Sequence, residues 1–349
     1  MRAFLFLSLY SISAKLVDVM INKLREKLGE GVLENEPLAN HCTFKIGGLA
    51  RYFFVAKSSE EIVKAAEAAK DLGLKIFVLS GGSNVLFSDV GFDGLVVKIQ
   101  NTKYEVQGTR APEQSSVRGM AKIESDAGVK LAEIVNVAME NSLTGLEWAA
   151  GIPGTVGGAV RGNAGAYGKS TSEAIERVEA LEKLKVKSYS KEDCKFGYRE
   201  SIFKREGGIV LKVIFKLVPG DKNKIKEEMD KIFAARDGKI PQDPSAGSFM
   251  KNVEVTDEIV KTIKEHAHED VPADYLEKGK IPAAWLITQC DLRGKQIGGA
   301  KISEKHANFI VNAGGATAAD VIALASLVKT KVRDETGIQL QEEIEYVGF

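Results

Sequence analysis

The residues best suited to chemistry lie in three short polar clusters in the second half of the chain. The first cluster is CKFGYRESIFK over 194–204, in which Arg199 follows Tyr198. A guanidinium here would suit recognition of a carboxylate or of a developing enolate, because it combines positive charge with paired hydrogen-bond donors. The alternative for Arg199 is an exposed side chain in a surface salt bridge.

The other two clusters offer a hydroxyl and a set of carboxylates. In SAGSFMKN over 245–252, Ser248 follows a glycine and precedes apolar residues, which predicts a hydroxyl presented at a tight turn. The GxSxG spacing of a hydrolase nucleophile is missing, and the alternative is an ordinary turn serine. In LQEEIE over 340–345, a strand would place Glu343 on the face of Glu345 and Glu342 on the other. This pattern does not select one carboxylate.

Two glycine-rich turns earlier in the chain are suited to binding an anion. The stretch 145–168 reads GLEWAAGIPGTVGGAVRGNAGAYG and has eight glycines but only two charged residues, and SGGSN covers 80–84. Backbone N–H groups at such glycines suit phosphate. Together the turns predict a ligand with a diphosphate and a large planar body. A flavin dinucleotide fits, as do other bulky nucleotides; the alternative for the longer stretch is a flexible surface loop.

The elements that position the first turn follow from capping and hydrophobic periodicity. A capping box at Ser58–Glu61 opens a helix between strands at 53–56 and 75–79, so SGGSN ends a βαβ unit. Residues 129–140 have the apolar spacing of a helix that leads into the long glycine stretch. The nearly continuous apolar run IVLKVIFKLV over 209–218 predicts a central strand.

The chain after this strand predicts a second domain. A break at Pro219-Gly220-Asp221 precedes an amphipathic helix over 222–236. Thr317 and Asp320 predict the cap of the last helix, and 337–349 predicts a closing strand. We therefore divide the chain into an N-terminal extension and helix (1–30), a first domain (31–220) and a second domain (221–349).

Bulk composition excludes several classes of protein. The 349 residues are enough for two or three domains, and 48 Lys+Arg balance 48 Asp+Glu, so net charge gives no reason to expect nucleic acid. The three cysteines are widely spaced without a CxxC pair, which fits a reducing compartment and neither a disulfide framework nor a zinc site. His266 and His268 lie in an acidic connector, and we predict no metal.

The N-terminus leaves three alternatives open. Residues 1–14 place an apolar run after Arg2 and end in SISA, which resembles a short secretory signal. The run is too short to span a bilayer as a helix. The other two alternatives are an upstream start before a natural start at Met20, and a simple extension of the helix predicted over 15–28.

These motifs together resemble the UDP-N-acetylenolpyruvoylglucosamine reductase family. The matching pieces occur in family order and cover nearly everything from Asn40 to Phe349. They are FKIGG (44–48), LSGGSNVLFSD (79–89), the glycine stretch 145–168, CKFGYRESIFK, PSAGSFMKN, IGGAKISEKHANFIVN, ATAADV and GIQLQEEI. The combination is highly specific.

The resemblance implies an α+β fold and an oxidoreductase. A PCMH-type FAD-binding domain of two α+β subdomains would precede a smaller α+β substrate-binding domain. The enzyme would use non-covalent FAD and NADPH to reduce UDP-N-acetylglucosamine enolpyruvate to UDP-N-acetylmuramate in peptidoglycan synthesis. We expect a cytoplasmic monomer that binds neither nucleic acid nor membrane. Its roles would be in cell wall biogenesis, cell shape, cell division and the cell cycle.

The resemblance also implies roles for individual residues. Ser248 is expected to protonate the enol intermediate, and Arg199 and Glu343 are expected to stabilise it. The expected substrate contacts are Tyr198, Lys239 and Asn252. The expected FAD contacts lie in the two glycine-rich turns and are Gly81, Gly82, Ser83, Asn84, Gly151, Ile152, Pro153, Gly154, Thr155, Gly157, Gly158, Asn163, Gly165 and Ala166.

The chain departs from the family pattern at a few positions. Gln341 replaces the first Glu of the terminal motif, and Met250 and Val253 replace the usual Phe and Pro around Asn252. Between 217 and 236 the chain lacks the Tyr-bearing loop of one family branch, so the residues that clamp the sugar-nucleotide diphosphate stay open. Two alternative functions are an FAD-linked oxidase of the same wider fold and a flavin or nucleotide-sugar binding protein without turnover.

Overall fold

The computed structural model describes residues 19–108, 120–267 and 269–349, and it has the α+β fold that the sequence predicts. The helices of these residues are α1 (helical over 19–28), α2 (Ser59–Asp71), α3 (Leu131–Glu140), α4 (Val156–Arg161), α5 (Thr171–Ala174), α6 (Ile202–Glu206), α7 (Lys222–Arg236), α8 (Asp257–His266), α9 (Ala273–Glu277), α10 (Ala283–Gln289) and α11 (Ala318–Thr336). The predictions for 1–18 and His268 lie outside the described residues. Within the described ranges, none of the helices has the length and apolar character needed to cross a membrane.

The strands are short and numerous. They are β1 (Leu33–Pro37), β2 (Leu49–Ala56), β3 (Ile76–Leu79), β4 (Val85–Phe87), β5 (Phe92–Ile99), β6 (Tyr104–Gln107), β7 (Ala121–Asp126), β8 (Leu143–Thr144), β9 (Gly165–Ala166), β10 (Lys169–Ser170), β11 (Ile175–Glu182), β12 (Lys185–Ser190), β13 (Ile209–Pro219), β14 (Ser245–Ser248), β15 (Val253–Glu254), β16 (Lys280–Ile281), β17 (Gln296–Ile297), β18 (Ala300–Ile302), β19 (Phe309–Asn312) and β20 (Glu345–Val347). Two 3-10 helices cover Leu38–His41 and Glu147–Ala149.

The chain divides by its internal contacts into two units, each discontinuous in sequence. Unit 1 takes the described residues of 19–36, 50–81 and 93–233, and unit 2 takes 37–49, 82–92 and 234–349. The predicted domains 1–30, 31–220 and 221–349 are continuous ranges, and they stay a prediction. The units differ from those ranges because 37–49 and 82–92 make their contacts with the C-terminal part of the chain.

The first sheet of unit 1 has the strand order β1-β2-β5-β3, with β3 parallel to β5. Helix α2 connects β2 to β3, as predicted, and the Ser58 hydroxyl caps it by accepting the Glu61 N–H. The sheet and its helices share a core to which α1 contributes Leu24 and α2 contributes Ile62. Burying such a side chain contributes about 1.5–3 kcal/mol.

The second sheet of unit 1 is built around β13, which confirms the predicted central strand. Its order is β12-β11-β13-β7-β6, and β13 pairs antiparallel with both β11 and β7. The helices α3, α4 and α7 place Ile134, Val160 and Met229 in the core that covers this sheet. These two sheets with their helices are the two α+β subdomains of the predicted fold.

Unit 2 contains the antiparallel sheet β14-β19-β18-β17, the antiparallel pair β15 and β16, and the parallel pair β4 and β20. Its longest helix, α11, begins with the predicted capping box of Thr317 and Asp320. The predicted strand over 337–349 is too long, because only β20 is regular strand. Glu342 pairs with Met250, whereas β20 pairs with β4, so the chain changes partner near Ile344 and cannot stay one strand.

Candidate functional site

The structure brings Ser80 and Gly81 of the first glycine turn into contact with Gly154 and Thr155 of the second, all within unit 1. The Ser80 hydroxyl is hydrogen-bonded to the Thr155 hydroxyl, and a Cβ on Gly81 would lie 2.9 Å from Gly154 Cα. Gly154 has a φ of +111°, a conformation that side chains strain to adopt. The close approach therefore depends on glycine in both turns.

The same contact gathers backbone donors suited to an anion. Among the described residues, no backbone carbonyl accepts a hydrogen bond from the N–H groups of Gly81, Gly154 and Thr155. By contrast, the Leu131 N–H donates to the Gly154 carbonyl and the Val156 N–H to the Val129 carbonyl, so the protein fixes this turn from the other side. Neighbouring unpaired N–H groups on a fixed turn suit a diphosphate, so these residues fit the FAD that the sequence predicts.

Other glycines of the long stretch serve packing. The Gly157 N–H donates to Ala127, and a Cβ on Gly157 would lie 2.7 Å from the Ala127 Cβ. A Cβ on Gly165 would lie 2.6 Å from the Lys169 carbonyl in the β9–β10 pair. These positions require glycine for reasons independent of a ligand, and their expected FAD contacts stay predictions. The expected FAD contacts of Gly151, Ile152, Pro153, Gly158 and Ala166 also stay predictions.

Asn163 ties the glycine stretch to the turn that carries Arg199. Its Nδ2 donates to the Gly197 carbonyl at 2.8 Å, and its Oδ1 accepts the Ser172 N–H at 3.1 Å. Asn163 is buried, with a φ of +41°. Both ends of the amide are therefore used inside unit 1, and its expected contact with FAD is untested.

Arg199 lies at the corner of a tight turn between Gly197 and Glu200, and its φ is +57°. Its Nη2 donates to the Gly165 carbonyl at 3.0 Å, and its guanidinium carbon lies 5.4 Å from the centre of the Tyr198 ring. The Lys204 ammonium donates to the Arg199 carbonyl at 3.0 Å. Arg199 is thus half-buried on a fixed backbone in unit 1, with its guanidinium held beside Tyr198.

Ser248 lies at the end of β14, directly after a bulge. Ser245 pairs with Val311 and Ser248 with Phe309, so β14 has one more residue than β19 between the two pairs. Gly247 has a φ of +81°, which fits a bulge that glycine allows. Ser248 therefore lies in a strand beside a bulge and not at the predicted tight turn, and its side chain is half-buried.

Glu343 lies on the segment next to Ser248 in unit 2. The Glu343 N–H donates to the Phe249 carbonyl at 2.8 Å, and the Lys251 N–H donates to the Gln341 carbonyl at 2.7 Å. Asn84 contacts the same segment, because its Nδ2 donates to the Glu343 carbonyl at 3.2 Å. Ser248 and Glu343, more than 90 residues apart in sequence, are thus brought together.

The neighbouring carboxylate of Glu342 has a structural role. Its Oε1 lies 2.7 Å from the Lys329 ammonium on α11. Burial, together with the Glu342 charge and hydrogen bond, raises the pKa of Tyr346. Glu342 is therefore engaged with α11 and β20, and the expected role of Glu343 stays a prediction.

The other expected site residues of unit 2 are distributed around these segments. Lys239 is exposed just after α7, and the Asn252 Oδ1 accepts the Ala283 N–H at 3.2 Å. The Gly82 carbonyl accepts both the N–H and the hydroxyl of Thr43. Ser83 is half-buried in the same turn. Their contacts with substrate and FAD stay predictions.

Two residues that hold the segments of the site in place were not identified from the sequence. The Asp89 carboxylate accepts the N–H groups of Ala318 and Ala319 at 2.7 and 3.1 Å, so it caps α11. Asn308 contacts the backbone beside Ser248. A capping box marks its own helix, but no local pattern shows that an acid 229 residues away caps the same helix.

Comparisons with known proteins cover both parts of the chain. The model described as "FAD binding domain" matches residues 50–184, and "UDP-N-acetylenolpyruvoylglucosamine reductase, C-terminal domain" matches residues 240–347. The chain is 37% identical to a UDP-N-acetylenolpyruvoylglucosamine reductase of Caldanaerobacter subterraneus subsp. tengcongensis, over 95% of this chain and 99% of that one. A reductase of the same name from Solibacter usitatus is 34% identical over 91% and 97%. The crystal structure of the reductase from Thermus caldophilus aligns with a TM-score of 0.68 at 30% identity, covering 90% of this chain and 98% of that one.

Proposed function

The chain belongs to the UDP-N-acetylenolpyruvoylglucosamine reductase family, and from this membership we infer the reaction that it catalyses. It reduces UDP-N-acetylglucosamine enolpyruvate with NADPH and bound FAD, and the product is UDP-N-acetylmuramate. The observation that carries this function is identity of 37% to a reductase over 99% of that relative's length. The two glycine turns with unpaired N–H groups support it, since both lie in the range that matches the FAD-binding model.

Bound FAD would supply the transfer of hydride from NADPH to the enolpyruvyl group. The N–H groups of Gly81, Gly154 and Thr155 hold the diphosphate, because they are the unpaired donors of the fixed turns. Arg199 stabilises the negative charge that grows on the substrate carboxylate as hydride arrives at the alkene. Glu343 helps to stabilise the same intermediate. Tyr198, Lys239 and Asn252 contact the substrate.

Ser248 completes the reaction by protonating carbon. Its O–H bond breaks as the new C–H bond forms, and the intermediate is basic enough to accept a proton from a hydroxyl within hydrogen-bond reach. The bulge at Gly247 supports this role, since it sets the orientation of Ser248 apart from the regular alternation of β14.

The cellular setting follows from the substrates. We propose that the protein acts in the cytoplasm, where NADPH and nucleotide sugars are made, as a monomer that binds neither membrane nor nucleic acid. Its product is a peptidoglycan precursor, so we propose that it contributes to cell shape, cell division and the cell cycle. Size-exclusion chromatography with light scattering would test the monomer, and a dimer mass would contradict it.

The variant Ser248→Ala tests the proposed chemistry. We expect it to bind FAD and to be reduced by NADPH as the wild type is, while product formation falls by about 10²–10⁴-fold. The control is Ser245→Ala, which removes a hydroxyl from the same strand together with its 3.4 Å hydrogen bond from the Gly247 N–H. Single-turnover reduction and product analysis would measure both steps. Product formation by Ser248→Ala at the wild-type rate would remove Ser248 from its role.

A further inference from the structure

The side chain of Asn308 replaces a neighbouring strand for the residues that follow Ser248. Its Oδ1 accepts the Met250 N–H at 2.8 Å, and its Nδ2 donates to the Met250 carbonyl at 2.8 Å. Both residues are buried, with 3% of Asn308 and 1% of Met250 exposed. The carboxamide thus satisfies both backbone groups of one buried residue, a task that the backbone of a paired strand normally performs.

This contact is needed because regular pairing ends here. The pair Ser248 and Phe309 is the last between β14 and β19, and the chain then turns toward 341–343. Without the carboxamide, the N–H and carbonyl of Met250 would be buried polar groups lacking these partners. Such groups are costly to leave unsatisfied, so the segment would shift to reach other partners.

The same segment joins the two proposed catalytic residues of unit 2. The Phe249 N–H donates to the Asn308 carbonyl at 2.7 Å, and the Phe249 carbonyl accepts the Glu343 N–H at 2.8 Å. Asn308 therefore makes three hydrogen bonds to the two residues that follow Ser248. On the other side of Ser248 lies the bulge at Gly247, which holds the chain less firmly than regular pairing does.

We propose that Asn308 is a positioning residue, which fixes the Ser248 hydroxyl and, through Phe249, the backbone of Glu343. The proposal rests on the proposed function, since it matters only if Ser248 donates the proton. A displacement of the donor by about 1 Å is enough to cost about 100-fold in rate. Loss of Asn308 should therefore slow protonation of substrate and leave the reaction with NADPH in place.

Two variants and one matched control separate positioning from folding. Asn308→Ala removes both side-chain bonds. Asn308→Asp keeps an acceptor for the Met250 N–H but can donate to the Met250 carbonyl only while its carboxyl is protonated. The control is Asn312→Ala on the same strand, because Asn312 also bonds backbone, at Phe44 and at Gly314, away from Ser248.

The measurement is stopped-flow absorbance of each holoprotein, first with NADPH and then, after reduction, with UDP-N-acetylglucosamine enolpyruvate. We expect Asn308→Ala to react with NADPH within about 2-fold of wild type and with the enolpyruvyl substrate about 10- to 100-fold more slowly. The slow step should show a larger solvent deuterium isotope effect than in wild type. Asn312→Ala should lower the melting temperature without changing the ratio of the two rates.

The pH profile of Asn308→Asp gives a second readout. Its rate with the enolpyruvyl substrate should fall as pH rises through the pKa of the new carboxyl. The titratable neighbour His306, whose Nδ1 accepts the Asn308 N–H, is present in every variant, so the wild-type profile corrects for it. If Asn308→Ala does not fold, the pH profile of Asn308→Asp tests the positioning role of Asn308 by itself.

The outcomes distinguish the two levels of the argument. Equal slowing of both rates in Asn308→Ala, or an Asn308→Asp profile that matches wild type, would overturn the positioning role alone. A wild-type protein that reacts with NADPH but not with the enolpyruvyl substrate would overturn the proposed function and this proposal with it.

Discussion

The contact between the two glycine turns of unit 1 makes a sharp prediction for Gly81→Ala. The new Cβ would lie 2.9 Å from Gly154 Cα, about 0.5 Å closer than the 3.4 Å at which ordinary contact begins. Because the neighbour is backbone, no side-chain rotation relieves the clash and the turns must separate. Overpacking of this kind costs about 1–3 kcal/mol.

This cost should fall mainly on FAD binding. In the protein without FAD, separating the turns weakens the single hydrogen bond between Ser80 and Thr155, whereas the diphosphate needs the N–H groups of Gly81, Gly154 and Thr155 close together. Converted to affinity, about 1–3 kcal/mol raises the dissociation constant of FAD about 5- to 150-fold. The matched control is Gly31→Ala, since a Cβ at Gly31 meets no atom within 4 Å.

The assay is a titration of FAD-free protein by flavin fluorescence, with a thermal melt of each variant without FAD. We expect Gly81→Ala to melt near wild type without FAD and to lose most of the stabilisation that added FAD gives. An FAD affinity equal to that of Gly31→Ala would refute the assignment of these turns to the diphosphate.

Two further predictions concern the carboxylates of unit 2. Glu342→Gln should lower the melting temperature and keep turnover, since it weakens the ion pair with Lys329. Glu343→Gln should keep the melting temperature and lose turnover. The reverse pattern in thermal melts and steady-state rates would exchange the roles of the two residues. Hydrogen bonds from the Thr317 and Gly299 N–H groups hold the pKa of Asp320 below its usual range. The stability that Asp320 contributes is therefore complete above the pKa of the unfolded chain, about 4, and is lost as pH falls through the lower pKa of the folded protein. Melting temperatures from about pH 6 to about pH 3 should therefore fall more for wild type than for Asp320→Asn, and parallel curves would contradict this.

Local sequence patterns predicted the elements that depend on local physics. The caps at Ser58 of α2 and Thr317 of α11 were correct, because a capping side chain bonds the N–H three residues on. The capping box predicted for α2 is incomplete, since the Glu61 carboxylate accepts the Lys57 N–H and not that of Ser58. The apolar run of β13 predicted a central strand, and the structure pairs this strand on both sides, with β11 and with β7. The glycine turns predicted an anion site, which stays a prediction, and the structure brings the two turns into contact.

What the sequence could not predict depends on pairing between distant segments. Strand β4 pairs with β20 some 260 residues away, and this pairing, which no periodicity reveals, draws 82–92 into unit 2. Alternation along a strand could not separate Glu342 from Glu343, because the segment is irregular and the ion-pair partner of Glu342, Lys329, lies on the distant helix α11. The sequence also could not predict the contact of Asn308 with Met250, because the two residues lie 58 positions apart in the chain.

The most direct test of the account is an anaerobic titration of the purified holoprotein. Added NADPH should bleach the visible absorbance of the bound flavin, and one equivalent of UDP-N-acetylglucosamine enolpyruvate should restore it with formation of UDP-N-acetylmuramate. Absorbance that returns only when oxygen is admitted would contradict the account and favour a flavin oxidase.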